Sequence, residues 1–105
     1  MSFSTHILDV SKGRPATGVP VRLEEMRGGA WQPVAEDRTN TDGRLAGWPL
    51  PRAGVYRLMF DTGDYFGADA FYPEVTVTFQ VADPEEPHHV PLLISPFGYS
   101  TYRGS

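Results

Sequence analysis

Apolar and polar residues alternate along most of this chain. The clearest run is EVTVTFQV at residues 74–81, in which every second residue is apolar. VPVRL at 19–23 and VYRLMFD at 55–61 show the same period, while STHILDV at 4–10 and HVPLLIS at 89–95 are apolar on more than one side. A period of two is typical of β-strands that bury one face. These five runs therefore predict strands.

Turn-forming residues separate the runs. Glycine, proline, asparagine and aspartate favour turns, and they are concentrated in KGRPATG, NTDGR, PRAG and ADPEEP. The adjacent Gly28 and Gly29 lie between LEEM and WQPVAE, and such a pair predicts a hairpin. DTGDYFGADA at 61–70 breaks the rhythm and predicts one short helix with Asp61 or Thr62 as its N-cap.

The number and spacing of these segments predict the fold class. About seven or eight short strands with turns between them favour an all-β sandwich of two sheets. Pro91 lacks a backbone N–H, so we expect its strand to lie at a sheet edge or to carry a bulge. Because no linker, repeat or low-complexity tract interrupts the 105 residues, we expect one domain, 1–105.

Composition narrows the function classes. The net charge of −4, with no basic cluster, argues against a nucleic-acid partner. The absence of cysteine excludes disulfides, thiolate metal sites and a cysteine nucleophile, and it fits a reducing compartment. No apolar run reaches the ~18 residues of a membrane span, and MSFSTHILDV lacks the regions of a signal peptide. We therefore expect a cytoplasmic protein with no membrane partner.

Chain length limits the kind of site that is expected. A domain of this size buries only roughly 65% of its unfolded surface, so a deep internal cavity is not expected. A surface groove or a site between subunits fits better. The sequence also contains no G-x-S-x-G elbow, P-loop or dinucleotide-binding fingerprint.

Three histidines are candidates for acid–base chemistry. His6 shares a strand face with Ser4 and Leu8, although a lone histidine in a strand is more often structural. His88 and His89 are adjacent, so in a strand they point to opposite faces. Zinc requires three or four converging ligands, and we expect no metal and no cofactor.

Two further segments carry candidate functional groups. Arg44 follows the tight turn at Asp42 and Gly43, where a solvated arginine is the simpler interpretation. In the terminal GYSTYRGS, Tyr102 and Arg103 are expected to face opposite ways if the segment is a strand. That segment either completes a sheet or belongs to a site, and the pattern alone leaves both possibilities open.

Five motifs, taken in order, carry a resemblance to a known family. They are THILD at 5–9, G-x-PA at 13–16, TDGR at 41–44, FYPEV at 71–75 and HVPLLISPFGYSTYRGS at 89–105. This order resembles the transthyretin-related family, in its 5-hydroxyisourate hydrolase branch, over nearly the whole chain. The terminal YRGS is the most diagnostic of the motifs.

The resemblance implies a specific architecture and assembly. It implies a transthyretin-like two-sheet sandwich of eight strands with one short helix. It also implies a homotetramer, in which two subunits extend their sheets edge to edge and two such dimers pack face to face. The active sites would lie in the channel between the dimers.

The resemblance also implies a reaction and a set of site residues. The reaction is hydrolysis of 5-hydroxyisourate to 2-oxo-4-hydroxy-4-carboxy-5-ureidoimidazoline in urate degradation, without cofactor or metal. The implied catalytic residues are His6, Arg44, His89 and Ser105, and the implied substrate-binding residues are Arg44, Tyr102 and Arg103. His88 departs from the family pattern, because Pro87 precedes it where histidine is usual.

The residue types suit that chemistry. A histidine near its normal pKa can take a proton from water, and a guanidinium can hold a planar, oxygen-rich substrate and stabilise oxyanion charge. A serine hydroxyl or a terminal carboxylate could orient a histidine. Which of the two histidines is the base stays open at this point.

Two other functions fit parts of the pattern. One is a non-catalytic carrier of the same fold that binds thyroid hormone; the resemblance implies that such a carrier replaces the histidines, the arginine and the YRGS ending. The other is a β-sandwich interaction module, which would explain the strands but not five motifs in order.

Overall fold

The computed structural model describes residues 3–105. The strands of this part of the chain are β1 Phe3–Asp9, β2 Arg14–Pro15, β3 Pro20–Arg27, β4 Ala30–Arg38, β5 Arg44–Trp48, β6 Gly54–Phe60, β7 Val75–Val81, β8 His88–Ser95 and β9 Gly98–Thr101. Helix α1 spans Thr62–Phe66 and continues into a 3-10 turn at Gly67–Asp69. Among these residues, no helix is both long enough and apolar enough to cross a membrane.

The strands form two sheets. In the first sheet the order is β2-β1-β8-β9, and β5 also pairs with β1. Because β8 pairs with the whole length of β1, β2 and β5 lie one after the other on the opposite edge of β1. The second sheet has the order β4-β3-β6-β7 and is antiparallel throughout. The predicted two-sheet all-β sandwich with one short helix is confirmed.

The core lies between the two sheets and follows from the alternation. In β1 the odd-numbered residues are buried, whereas Ser4, His6 and Leu8 are half-buried on the outer face. The first sheet contributes Phe3, Ile7, Leu92 and Ile94 to the core, and the second contributes Leu23, Tyr56, Leu58 and Phe60. The outer face of the first sheet is therefore the surface on which His6 is displayed.

Two local predictions, the hairpin at the glycine pair and the N-cap of the helix, are confirmed. Gly28 and Gly29 join β3 to β4 with φ values of 58° and 82°, which a two-residue hairpin with two left-handed positions requires. Asp61 is the N-cap of α1, since its carboxylate accepts a hydrogen bond from the Asp64 N–H at 3.0 Å.

Helix α1 is attached to the end of β1 through a buried carboxylate. The hydroxyl of Tyr65 donates to Oδ2 of Asp9 at 2.8 Å, and the N–H groups of Ser11 and Lys12 donate to Oδ1 at 3.0 and 3.2 Å. Burial and the hydrogen bond to Asp9 raise the pKa of Tyr65 to about 12. The carboxylate is thus fully satisfied by its neighbours in the chain.

Two details of the sequence interpretation are corrected. Arg14 and Pro15, predicted to be part of a turn, form the short β2. Pro91 does not lie on an edge strand, because β8 is flanked by β1 and β9. Instead, the pairing of β9 with β8 stops at Thr101 and resumes at an isolated bridge between His89 and Gly104. Pro91, which has no backbone N–H to donate, lies in this interruption.

Candidate active site

A cross-strand pair on the outer face of the first sheet joins His6 and Arg44. The antiparallel register of β1 and β5 sets the two residues directly opposite each other. The preceding turn fixes the start of β5, because Oδ1 of Asn40 accepts hydrogen bonds from the N–H groups of Asp42 and Arg44 at 2.9 and 3.0 Å. The turn lies close against β1, and the N–H of Ile7 donates to the carbonyl of Gly43 at 2.8 Å.

Gly43 is the residue that allows this close approach. Its φ is 72°, and a Cβ there would lie 2.5 Å from the carbonyl oxygen of Ile7. Any other residue at this position would push the turn away from β1. The turn formed by the TDGR motif therefore positions Arg44 opposite His6.

The surroundings of His6 favour its neutral form. Burial and the positive charge of Arg44 lower the pKa of His6 below the ordinary 6.5, and His89 acts in the same direction. A hydrogen bond to the backbone of Asp42 and the carboxylate of Asp42 oppose this effect without reversing it. At neutral pH the imidazole can therefore accept a proton.

His89 lies on the neighbouring strand, two residues before Pro91. The parallel register of β1 and β8 sets Ser4 beside His89, and Oγ of Ser4 is 2.8 Å from Nδ1 of His89. The N–H of Gly104 donates to the carbonyl of His89 at 2.8 Å. This bond returns the chain to β8 after the interruption and brings Ser105 to the same surface.

Two open depressions adjoin at His88 and His89. The polar depression, about 320 Å³ in volume, is lined by Ser4, Arg44, Pro87, His88, His89 and Ser105. The apolar depression, about 230 Å³, lies between β7, β8 and the segment after β9, and its lining includes Val77, Phe79, Tyr102 and Arg103. Three of the four predicted catalytic residues thus line one depression, and His6 lies next to it through Arg44.

The predicted substrate-binding residues are divided between the depressions. Arg44 lines the polar one, whereas Tyr102 and Arg103 line the apolar one. Both residues follow the end of β9, so the strand alternation on which their opposite orientation was predicted does not extend to them. Nη2 of Arg103 lies 3.9 Å from Oε1 of Glu86 in an exposed pair, which contributes little to stability.

His88 and His89 point to opposite faces, as the alternation predicts. The side chain of His88 is buried, and its Nδ1 lies 2.8 Å from the carbonyl oxygen of Glu86. His88 therefore has a structural partner of its own.

Within residues 3–105, no group of three histidine, cysteine, aspartate or glutamate side chains is arranged to hold a metal ion.

Ser4 is a residue of this surface that the sequence motifs do not single out. From the sequence alone, Ser4 is expected only to share a strand face with His6. The signal that could have found Ser4 is the apolar character of STHILDV and HVPLLIS, which suggests adjacent central strands. The register that brings Ser4 to His89 is not encoded in either run alone.

Comparisons with known proteins agree with the geometry. The family model described as "Transthyretin: HIUase/Transthyretin family" matches residues 3–104. The 5-hydroxyisourate hydrolase of Salmonella typhimurium is 47% identical over 109 residues, covering 98% of this chain and 80% of that protein. The 5-hydroxyisourate hydrolase of Mus musculus is 41% identical over 111 residues, covering 98% of this chain and 94% of that protein.

Solved structures of two functional types are similar to this one. The 5-hydroxyisourate hydrolase of Klebsiella pneumoniae has a TM-score of 0.84 and 41% identity, covering 99% of this chain and 98% of that chain. Transthyretin from Sparus aurata has a TM-score of 0.89 and 32% identity, covering 97% of this chain and 95% of that chain. The backbone alone does not separate the two types, and the full-length matches show that this chain belongs to the HIUase/transthyretin family.

Proposed function

We infer that this protein is an enzyme that hydrolyses 5-hydroxyisourate in urate degradation. The observation that carries the inference is the convergence of Arg44, His89 and Ser105 on one polar depression beside His6. Curated relatives named 5-hydroxyisourate hydrolase, at 41–47% identity over nearly the full length, support it. The product is 2-oxo-4-hydroxy-4-carboxy-5-ureidoimidazoline.

The reaction is the addition of water to a ring amide. The water oxygen bonds to the amide carbonyl carbon, and a neutral histidine takes one proton of the water. The carbon–nitrogen bond then breaks, the ring opens, and the same proton passes to the departing nitrogen. No other reactant is needed for the balance of atoms and charge.

We propose that His6 is the base in this step. Its lowered pKa keeps it neutral at neutral pH, which is the state that accepts a proton from water. Its position opposite Arg44 also stabilises the neutral over the protonated imidazole before substrate binds. A substrate that carries negative charge would offset the charge of Arg44 and make proton uptake easier.

Arg44, His89 and Ser105 hold the substrate in this proposal. The exposed guanidinium of Arg44 offers paired N–H donors to neighbouring substrate oxygens and stabilises the negative charge that develops on the carbonyl oxygen. Ser105 adds a hydroxyl on the rim of the polar depression. Tyr102 and Arg103 bind the part of the substrate that extends toward the apolar depression.

We further propose a homotetramer with its active sites between dimers. The polar depression is open on the outer face of the first sheet, so a facing subunit would be needed to exclude water from it. Strands β7 and β9 lie at sheet edges, and such edges pair readily with another chain. The cytoplasmic location and the single-domain organisation stay predictions from the sequence.

Hormone binding by a non-catalytic carrier is the alternative. Sea bream transthyretin in complex with thyroxine has a TM-score of 0.88 to this structure and 32% identity, covering 97% of this chain. The outer face here carries Arg44, His6 and His89, which are the residue types that the proposed hydrolysis requires. No observation favours the carrier over the enzyme.

The decisive experiment is an assay with freshly generated 5-hydroxyisourate. Its ultraviolet absorbance should decay faster with the protein than in the spontaneous reaction. Arg44→Ala should abolish most of this acceleration, whereas Arg38→Ala, which removes an exposed guanidinium from the second sheet, should leave it intact. Decay at the spontaneous rate with the unmodified protein would overturn the proposed function.

A further inference from the structure

The imidazole of His89 is held on two sides by residues to which no role has been assigned. On one side, Oγ of Ser4 lies 2.8 Å from Nδ1. On the other, the backbone of Gly104 lies against the ring, because a Cβ at Gly104 would be 2.5 Å from Cδ2 and 3.2 Å from Cγ of His89. The ring therefore lies between a hydroxyl and a bare backbone.

The need for glycine at position 104 comes from the ring and not from the backbone conformation. Gly104 is absent from the glycines with positive φ, so its backbone is open to other residues. The close approach to His89, together with a distance of 3.3 Å from the same Cβ position to Cγ of Pro91, is what excludes a side chain. A methyl group there would displace either the imidazole or the terminal segment that bonds to the carbonyl of His89.

The contact of Ser4 bears on which ring nitrogen carries the proton. Within residues 3–105, the hydroxyl of Ser4 makes no hydrogen bond other than the one to His89. Its single O–H is satisfied when it donates to Nδ1, and that arrangement leaves the proton of the neutral ring on Nε2. If Ser4 accepted instead, its own O–H would lack a protein partner.

We propose that Ser4 and Gly104 are positioning residues that hold His89 as the Nε2–H tautomer, so that Nε2–H donates to the substrate beside Arg44. This inference rests on the proposed function for its catalytic consequence. Two donors, one from Arg44 and one from His89, would then meet the oxygen on which negative charge develops. The role of Gly104 in the YRGS motif would be to pack against the ring of His89. This packing would also place the next residue, Ser105, beside the polar depression.

The first test is the tautomer of His89, measured by nitrogen NMR of the assembled, full-length protein at a pH where the ring is neutral. We expect the proton on Nε2 in the unmodified protein and a mixture of tautomers in Ser4→Ala. Ser4→Thr, which keeps the hydroxyl, should restore the Nε2–H form. Ser95→Ala removes a hydroxyl from β8, at the opposite end of that strand from His89, and should leave the tautomer of His89 unchanged.

The second test is turnover of 5-hydroxyisourate by the same variants. Loss of one neutral hydrogen bond shifts such an equilibrium by about three- to tenfold, so Ser4→Ala should lower kcat by that factor with a smaller change in KM. Gly104→Ala displaces either the ring or the terminal segment that packs against it, and turnover should fall by about 10²-fold. Gly98→Ala is the matched control, because its Cβ would meet only Oγ of Ser95 at 3.8 Å.

The outcomes separate this inference from the proposed function. A proton on Nδ1 in the unmodified protein, or a tautomer balance that Ser4→Ala leaves unchanged, would overturn the inference even if hydrolysis were fast. Equal loss of turnover in Gly104→Ala and Gly98→Ala would overturn the role of Gly104. Absence of hydrolysis by the unmodified protein would instead overturn the function, while the NMR result would still decide how His89 is held.

Discussion

His6 and Arg44 face each other across β1 and β5, at the point where the TDGR turn meets the first strand. The two residues are 38 positions apart in the sequence. Their proximity has an electrostatic consequence: the guanidinium helps burial to lower the pKa of His6. In the proposed mechanism, substrate binding by Arg44 and proton acceptance by His6 would therefore be coupled through this one pair.

The coupling predicts the acid limb of the rate profile and its response to Arg44→Gln. Because the pKa of His6 lies below 6.5, the neutral base should persist below that pH, and the rate should fall only as pH drops through the lowered pKa. Arg44→Gln removes the positive charge, so the pKa of His6 should rise and the acid limb should move to higher pH, with turnover reduced by about 10²-fold.

Proton NMR titration of His6 in both proteins, beside the pH dependence of the rate, checks this prediction. Arg38→Gln is the control for a change of net charge, since Arg38 lies on the second sheet. The same titration curve for His6 in the unmodified protein and in Arg44→Gln would contradict the coupling.

Deletion of residues 103–105 should separate catalysis from folding. The deletion removes Arg103 and Ser105 from the two depressions and the Gly104 bridge to His89, but no residue of the core. Turnover should fall by on the order of 10²-fold or more, whereas stability should change by about 1 kcal/mol. Steady-state decay of 5-hydroxyisourate and thermal melting, run side by side, provide the measurement. Full turnover by the shortened protein would show that the ending is not part of the site.

The proposed tetramer should be visible as a mass of four chains. Sedimentation or light scattering of the unmodified protein at working concentration measures it directly. The physical reason is that the polar depression is open in one subunit and needs a facing surface to become a water-excluding site. A strictly monomeric protein with full activity would contradict the placement of the site between dimers.

Tyr65→Phe should weaken the attachment of α1 to β1. Although burial acts to raise the pKa of Asp9, hydrogen bonds from Ser11, Tyr65 and Lys12 outweigh it and hold that pKa below 3.8. Such a group stabilises the fold above its unfolded pKa, and this stabilisation is lost as pH falls through the folded value. Removing one donor to a buried charge should cost about 2 kcal/mol and shift acid unfolding to higher pH.

Chemical denaturation and an acid titration followed by circular dichroism check this prediction. Tyr99→Phe is a suitable control, because Tyr99 is exposed and its hydroxyl forms none of the hydrogen bonds to Asp9. An acid midpoint for Tyr65→Phe equal to that of the control would mean that the carboxylate does not depend on Tyr65.

Much of this protein was determined by local sequence. The alternation in EVTVTFQV, the two glycines of the β3–β4 hairpin and Asp61 at the start of α1 each act within a few residues, so their structures could be predicted. The candidate site residues could be named from the family motifs, but their contacts could not. Periodicity fixes which face a side chain takes and says nothing about which strand lies beside it.

Only the tertiary structure decided how those faces are combined. The parallel pairing of β1 with β8 brings Ser4 to His89 across 85 positions of sequence, and the register of β5 sets Arg44 opposite His6. The pairing of β9 with β8 is interrupted opposite Pro91, so Tyr102 and Arg103 lie outside the sheet, and Gly104 pairs with His89 beyond the interruption. Such pairings depend on packing of the whole sandwich, because hydrogen bonds between distant strands form only where the common core brings the two chains together.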